Sequence, residues 1–211
     1  VYASLILVWI YFRLSESLPA DKRIPFRAAR LAAGFREVLS NRSTTSLMVC
    51  MGMVFGCLIG YINSCQQIIQ VQFGAGKMFS VYFGMLALLL GVSSMCNSRL
   101  VEKLGMHFIA SRAFGMIVVS SLTFLVLQQF IDVSLWMFLL YAATLFGSFG
   151  FIFGNLNAMA MEPMGHLAGI ASAVIGSTSS LMSISLGTLI GQLYDGSVMP
   201  ITTGALILGS L

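Results

Sequence analysis

Five long stretches of the chain carry no Asp, Glu, Lys or Arg: Ser43–Gly76, Met78–Ser98, Ala113–Ile131, Val133–Met161 and Pro163–Tyr194. Charged residues gather in the gaps between them. A helix needs roughly 20 apolar residues to cross a hydrocarbon core about 30 Å thick, and each stretch reaches that length. Two shorter apolar blocks, Val1–Phe12 and Gly196–Leu211, stand at the ends. The pattern predicts an all-α membrane protein with five complete spanning helices flanked by two cut ones. The first block has no initiating Met and no basic residues before it, so it does not read as a signal peptide. It predicts a fragment that opens in mid-helix.

Composition agrees with lipid as the solvent. Hydrophobic residues make up 58% of the chain and charged residues 9%, with mean hydropathy +0.94. A soluble domain carries about 25% charged residues. The gaps also give a sidedness. Arg13, Lys22, Arg23, Arg27, Arg30, Arg36 and Arg42 follow the first block, and Arg99, Lys103 and Arg112 lie two spans later. The opposite gaps hold Lys77, Asp132 and Asp195. The positive-inside rule therefore makes the arginine-rich gaps cytoplasmic, and a multi-pass protein of the cytoplasmic (inner) membrane is expected. The net charge of +4 reflects this bias. Nucleic acid is a poor partner, because Glu16, Asp21 and Glu37 interrupt the basic loop and it lacks a recognition motif.

Three regions follow: 1–14, the truncated end of a helix; 15–44, a cytoplasmic loop; and 45–211, a transmembrane bundle. Pro19 and Pro25 break the preceding helix. Beyond them Phe26, Leu31, Phe35 and Leu39 recur at helical spacing with Arg27, Arg30 and Arg36 between. This predicts a short amphipathic helix along the membrane surface, linking two bundles.

Cys50, Cys57, Cys65 and Cys96 lie inside apolar spans with no CxxC or Cys–His cluster, so they are expected to pack as small hydrophobes, without metal or disulfide. His107 and His166 fall at cytoplasmic span ends. Gly147-Ser148-Phe149-Gly150 loosely resembles a serine nucleophile turn, but a serine hydrolase needs a His within hydrogen-bond reach. Ser148 is expected near mid-membrane, far from both. No phosphate-cradling loop supports a nucleotide-driven pump. The chain is not expected to be an enzyme.

Polar residues inside the spans carry the candidate chemistry, because in lipid they face a bundle interior or a water-filled cavity. At about 100° per residue, Asn63, Gln67 and Gln70 share one helix face, with Gln66 at its border. Tyr141, Thr144, Ser148 and Asn155 fall within about 60° of one another on another helix. The two stripes could bond to each other, or line a cavity whose few polar groups orient a ligand within an apolar wall. The segment from Ala168 has a different character. Gly169, Ala173 and Ser177 are spaced four apart, as are Ser172, Gly176 and Ser180, with Gly187 and Gly191 beyond. Small residues so spaced let helix backbones approach closely in membranes. Gly169, Ala173, Gly176, Ser180 and Gly187 are therefore expected to serve helix packing.

Three runs resemble a known family. Asn155-Leu156-Asn157-Ala158-Met159-Ala160-Met161-Glu162-Pro163, followed by Gly165-His166-Leu167-Ala168-Gly169-Ile170-Ala171-Ser172-Ala173, is similar to a helix ending near an Asn-Ala pair, then a short turn before Ala-Gly-x-Ala-Ser. Asn97-Ser98-Arg99-Leu100-Val101-Glu102-Lys103-Leu104-Gly105 resembles a short basic cytoplasmic gating loop. Leu14-Ser15-Glu16-Ser17-Leu18-Pro19 is similar to a Glu-Thr-Leu-Pro helix exit, with Ser17 in place of Thr. Together they resemble the C-terminal half of a major facilitator superfamily transporter of the Bcr/CflA drug:proton antiporter type.

That resemblance implies a six-helix bundle of nested inverted repeats, with the N-terminal half of the protein as its missing partner. It also implies proton-coupled efflux of small amphipathic drugs or toxic compounds, with the proton gradient as energy source and no bound cofactor. The lining residues would be Asn63, Gln66, Gln67, Gln70, Tyr141, Thr144, Ser148 and Asn155. Arg99 and Lys103 would gate the cytoplasmic side or simply anchor topology. The alternatives are a specific metabolite or nutrient transporter of the same architecture, and a non-transporting membrane receptor or scaffold.

Overall fold

A computed structural model describes residues 2–13 and 28–211. The Leu14–Pro19 helix exit and the basic residues Lys22, Arg23 and Arg27 lie outside the described residues. The chain divides into two units, Val1–Ala33 and Gly34–Leu211. The first holds α1 (Tyr2–Arg13) and the opening turns of α2 (Ala28–Ser40). The apolar side chains of α1 from Leu5 to Phe12 are exposed.

The second unit is a helical bundle. Its members are the rest of α2, then α3 (Arg42–Gln66), α4 (Phe79–Leu104), α5 (Met106–Leu127), α6 (Leu135–Met161), α7 (Ala168–Gln192) and the shorter α8 (Met199–Ser210). Arg42–Gln72, Gly76–Leu104, Met106–Leu127 and Leu135–Gln192 are long and apolar enough to cross a membrane. The last stretch breaks into α6 and α7 at the turn Glu162–Leu167, where Pro163 falls in the first turn and Met164 leaves helical geometry. Asn41 caps α3 by accepting from the Thr44 N–H at 3.0 Å, and Ser134 caps α6 through Met137. Gly105, at φ 81°, makes the tight reversal between α4 and α5, a left-handed conformation that glycine adopts at little cost.

α3 ends unusually. Beyond Gln66 it continues as a wider π turn over Gln67–Gln72, with Phe73 N–H bonded to the carbonyl of Ile68 at 3.0 Å. Such turns close i→i+5 bonds instead of i→i+4.

α3 packs on α7, α6 and α8. α6 packs on α4 and α5, and α5 also packs on α8. The core runs through α3 and α6, around Tyr61, Phe138, Phe149, Leu145 and Ile152. The outside of α4 exposes Met85, Leu88, Val92 and Met95, an apolar surface of the kind that marks contact with a membrane or another helix.

At the end of the bundle that carries the α6–α7 turn, the second half of α2 is fastened to it. Val38 is fully buried, and a Cβ on Gly34 would lie 2.9 Å from the Ile170 side chain. Glu37 meets His166 of the α6–α7 turn at 2.7 Å, and Thr44 donates to the Ala160 carbonyl at the end of α6. Leu31, Phe35 and Leu39, the apolar stripe of α2, are exposed.

Candidate functional site

Close approach between helices decides which faces remain open. Along α3, Gly52, Gly56 and Gly60 recur every fourth residue and receive Met182, Leu186 and Ile190 of α7. A Cβ on these glycines would fall 2.8, 3.0 and 2.9 Å from those side chains. From the other helix, a Cβ on Gly187 would sit 2.5 Å from Ile59 and 2.9 Å from the Gly60 nitrogen. This seam is the small-residue packing expected in membranes, but its glycines are mainly those of α3. Of the five α7 residues expected to serve packing, four face away from the helices of this bundle. Gly169, Ala173, Gly176 and Ser180 are exposed, and a Cβ on Gly169 or Gly176 would meet nothing within 4 Å. Only Gly187 packs against α3. The Gly-x-x-x-Gly-x-x-x-Gly run on α3 was readable in the sequence, and the serine-rich run on α7 drew the assignment away from it.

The polar stripe of α6 turns into the bundle. Asn155, 3% exposed, and Asn97 of α4, 7% exposed, exchange amide hydrogen bonds at 2.8 and 3.3 Å. Asn155 also donates to its own helix at Phe151. Beside this pair α4 and α6 come closest: a Cβ on Gly150 would lie 2.5 Å from the Leu90 carbonyl oxygen. The Tyr141 hydroxyl meets Ser121 of α5 at 2.9 Å, and its ring stacks on Phe124 at 4.6 Å. Ser148 is buried and donates to the Thr144 carbonyl, while Thr144 donates to Tyr141 and is half-buried toward α5. The four residues share a face as expected, and Tyr141, Ser148 and Asn155 are buried among helices of this bundle.

The α3 amides lie at the opposite end of the bundle from the α6–α7 turn. Asn63 is exposed, donates to the Gly187 carbonyl at 3.3 Å, and Gly191 closes on its Cβ. Gln66 donates to Gln70 at 3.3 Å, and Gln67 is exposed. The π turn changes the winding after Gln66, so wheel angles drawn for a regular α-helix do not carry through to Gln70. The two stripes do not bond to each other. Arg99 and Lys103 are exposed near the C-terminal end of α4 and make no ion pair among the described residues.

One groove, of about 600 Å³, lies open between α3, α6 and α7. Phe55 and Phe153 form its aromatic wall, stacked at 4.0 Å with ring planes 4° apart. Phe149 extends the stack behind them at 5.6 Å. Gly154, Asn157, Gly176 and Ser180 supply small and polar groups, and no lining residue is charged. Of these, the sequence points Gly176 and Ser180 to helix packing and gives Phe55, Phe153 and Asn157 no role in a site. Their signal was weak: an aromatic pair on two helices cannot be matched from spacing alone. Cys57 and Cys65 are buried and Cys50 half-buried, all free thiols. Among the described residues, no three of His, Cys, Asp and Glu come together.

Comparison with known proteins bears on this arrangement. A bicyclomycin resistance protein homolog of Haemophilus influenzae is 24% identical over 205 residues, covering 96% of this chain and 51% of that protein. An uncharacterized MFS-type transporter of Bacillus subtilis, YdgK, is 24% identical over 220 residues, covering 98% of this chain and 52% of its own. The chain therefore spans about half the length of these relatives. No solved structure matches it. The sequence pattern of the Major Facilitator Superfamily extends over residues 1–188. The match takes in every helix from α1 to most of α7, so the polypeptide is a multi-pass membrane chain of the Major Facilitator Superfamily.

Proposed function

We propose that this chain forms one half of a secondary transporter that exports small, amphipathic, largely uncharged compounds across the cytoplasmic membrane. The groove between α3, α6 and α7 carries this reading. It is walled by the Phe55–Phe153 stack, is edged by Asn157 and Ser180, and holds no charged side chain. Aromatic walls with few polar groups suit bulky apolar molecules. The name of the Haemophilus relative points the same way. The proton gradient would supply the energy, with the other half of the protein completing the pathway. In this reading Asn63, Tyr141 and Asn155 tie helices of the bundle together, and the groove holds the compound.

The test uses the complete protein expressed in cells lacking other exporters. Phe153→Ala and Asn157→Ala are expected to change resistance to some compounds and leave others unaffected, at equal expression. Unchanged resistance to every compound tested rejects the groove as the binding wall. No proton-gradient-dependent efflux by the unaltered protein rejects transport itself, in favour of a receptor or scaffold.

A further inference from the structure

A second opening lies away from the α3–α6–α7 groove and stands apart from the transport reading. It is a cavity of about 890 Å³ along α5, with Thr144 of α6 at its far end. Its one charged lining residue is Arg112. The Arg112 guanidinium sits 5.2 Å from the centre of the Phe108 ring, in cation–π geometry, and has no carboxylate partner among the described residues. Below it, Gly115 leaves open space, where a Cβ would meet nothing within 4 Å, and Met116 and Val119 are exposed.

The dimensions fit one leaflet. From Phe108 to Ser120 the groove follows α5 for about 18 Å at 1.5 Å per residue. Half of a hydrocarbon core is about 15 Å. The charged end lies on the arginine-rich, cytoplasmic side, and the deep end reaches the hydroxyls of Ser120 and Thr144. Both hydroxyls donate to carbonyls of their own helices, at Ile117 and Tyr141, so the deep end offers no spare donor. A guanidinium at the rim, an apolar channel below it and a missing side chain at Gly115 match an anion carrying a long hydrocarbon chain.

We propose that this groove binds an anionic phospholipid of the cytoplasmic leaflet. Its phosphate sits on Arg112 and one acyl chain lies along Gly115, Met116 and Val119. The simpler role for Arg112, reaching to the interface to keep its charge in water, requires neither the gap at Gly115 nor a preference among lipids.

Native mass spectrometry of the complete purified protein tests this, with phosphatidylglycerol and phosphatidylcholine offered at equal concentration. The unaltered protein is expected to retain phosphatidylglycerol preferentially. Arg112→Gln should weaken that binding about fivefold or more, the effect of losing one interfacial cation. Arg112→Lys should keep most of it. Gly115→Leu has room to fold and should lower retention by filling the channel. Arg42→Gln, at the exposed start of α3, should leave the preference intact. The proposal is overturned if the unaltered protein shows no preference, if Arg112→Gln keeps it, or if Arg42→Gln removes it equally. Displacement of the lipid by glycerol phosphate at matched concentration also overturns it, because the site would then hold free phosphate.

Discussion

The buried amide pair between α4 and α6 allows a quantitative prediction. Replacing Asn155 with Leu, of similar size, removes both bonds to Asn97. Hydrogen bonds between membrane helices average about 0.6 kcal/mol each, so their direct loss is about 1.2 kcal/mol. The larger part comes from what is left behind. Asn97 is 7% exposed, and a buried polar group stranded without a partner costs about 1–3 kcal/mol. Asn155→Leu should therefore destabilise by about 2–4 kcal/mol in total. Asn97→Leu should cost similarly, although Asn155 keeps its bond to the Phe151 carbonyl. In the double variant Asn97→Leu/Asn155→Leu no amide is stranded and only the direct loss of about 1.2 kcal/mol remains, so it should be less destabilised than the sum of the singles by about 3–7 kcal/mol. Steric-trapping measurement of unfolding free energy, in bicelles, gives all four corners of the cycle. Additivity within about 0.5 kcal/mol would show that the two side chains do not depend on each other, and the reasoning would fail.

Two further predictions separate the seams from the open faces. Gly187→Ala drives a methyl to within 2.5 Å of Ile59 and should cost about 1–3 kcal/mol as overpacking. Gly176→Leu points into open space and should change stability by no more than about 0.5 kcal/mol while altering the compounds exported. Equal loss of thermal stability in both variants would contradict the assignment. Outside the membrane, Asp195 accepts from the hydroxyl and backbone N–H of Ser197, which lowers its pKa below the ordinary aspartate value. A depressed carboxylate stabilises above its unfolded pKa of about 3.9, and that contribution is lost as pH falls through the still lower folded value. The Ser197 amide resonance should titrate below pH about 3.9, with the step absent in Asp195→Asn; a midpoint at or above that value refutes the turn geometry.

The spans were legible because lipid leaves a coarse signature of long uncharged runs, but their ends were less so: α5 begins at Met106 while its uncharged run begins at Ala113. Which way each helix faces was less so. The α6 wheel correctly grouped Tyr141, Ser148 and Asn155, but a wheel names a face without naming its neighbour. The missing information lay on other helices, in Asn97 and Ser121. α7 defeated the approach for another reason. Small residues surround it on all sides, so spacing could not tell the seam at Gly187 from the open side at Gly176. For the α3 amides, the wide turn after Gln66 shifts the angular register that a regular wheel assumes. The aromatic wall needed two helices to be placed side by side before it existed at all.

The seam between α3 and α7 also restricts how the groove can change shape. Its glycines and the side chains that enter them form a rack with teeth about 6 Å apart, four residues at 1.5 Å each. A partial slide would lift Met182, Leu186 and Ile190 out of their notches together, so the pair travels as one strut. Widening or narrowing the groove then falls to α6. Among the described residues, its one side-chain hydrogen bond to the strut runs from Thr44 to the Ala160 carbonyl, at the end of α6 that also carries Phe153 stacked on Phe55.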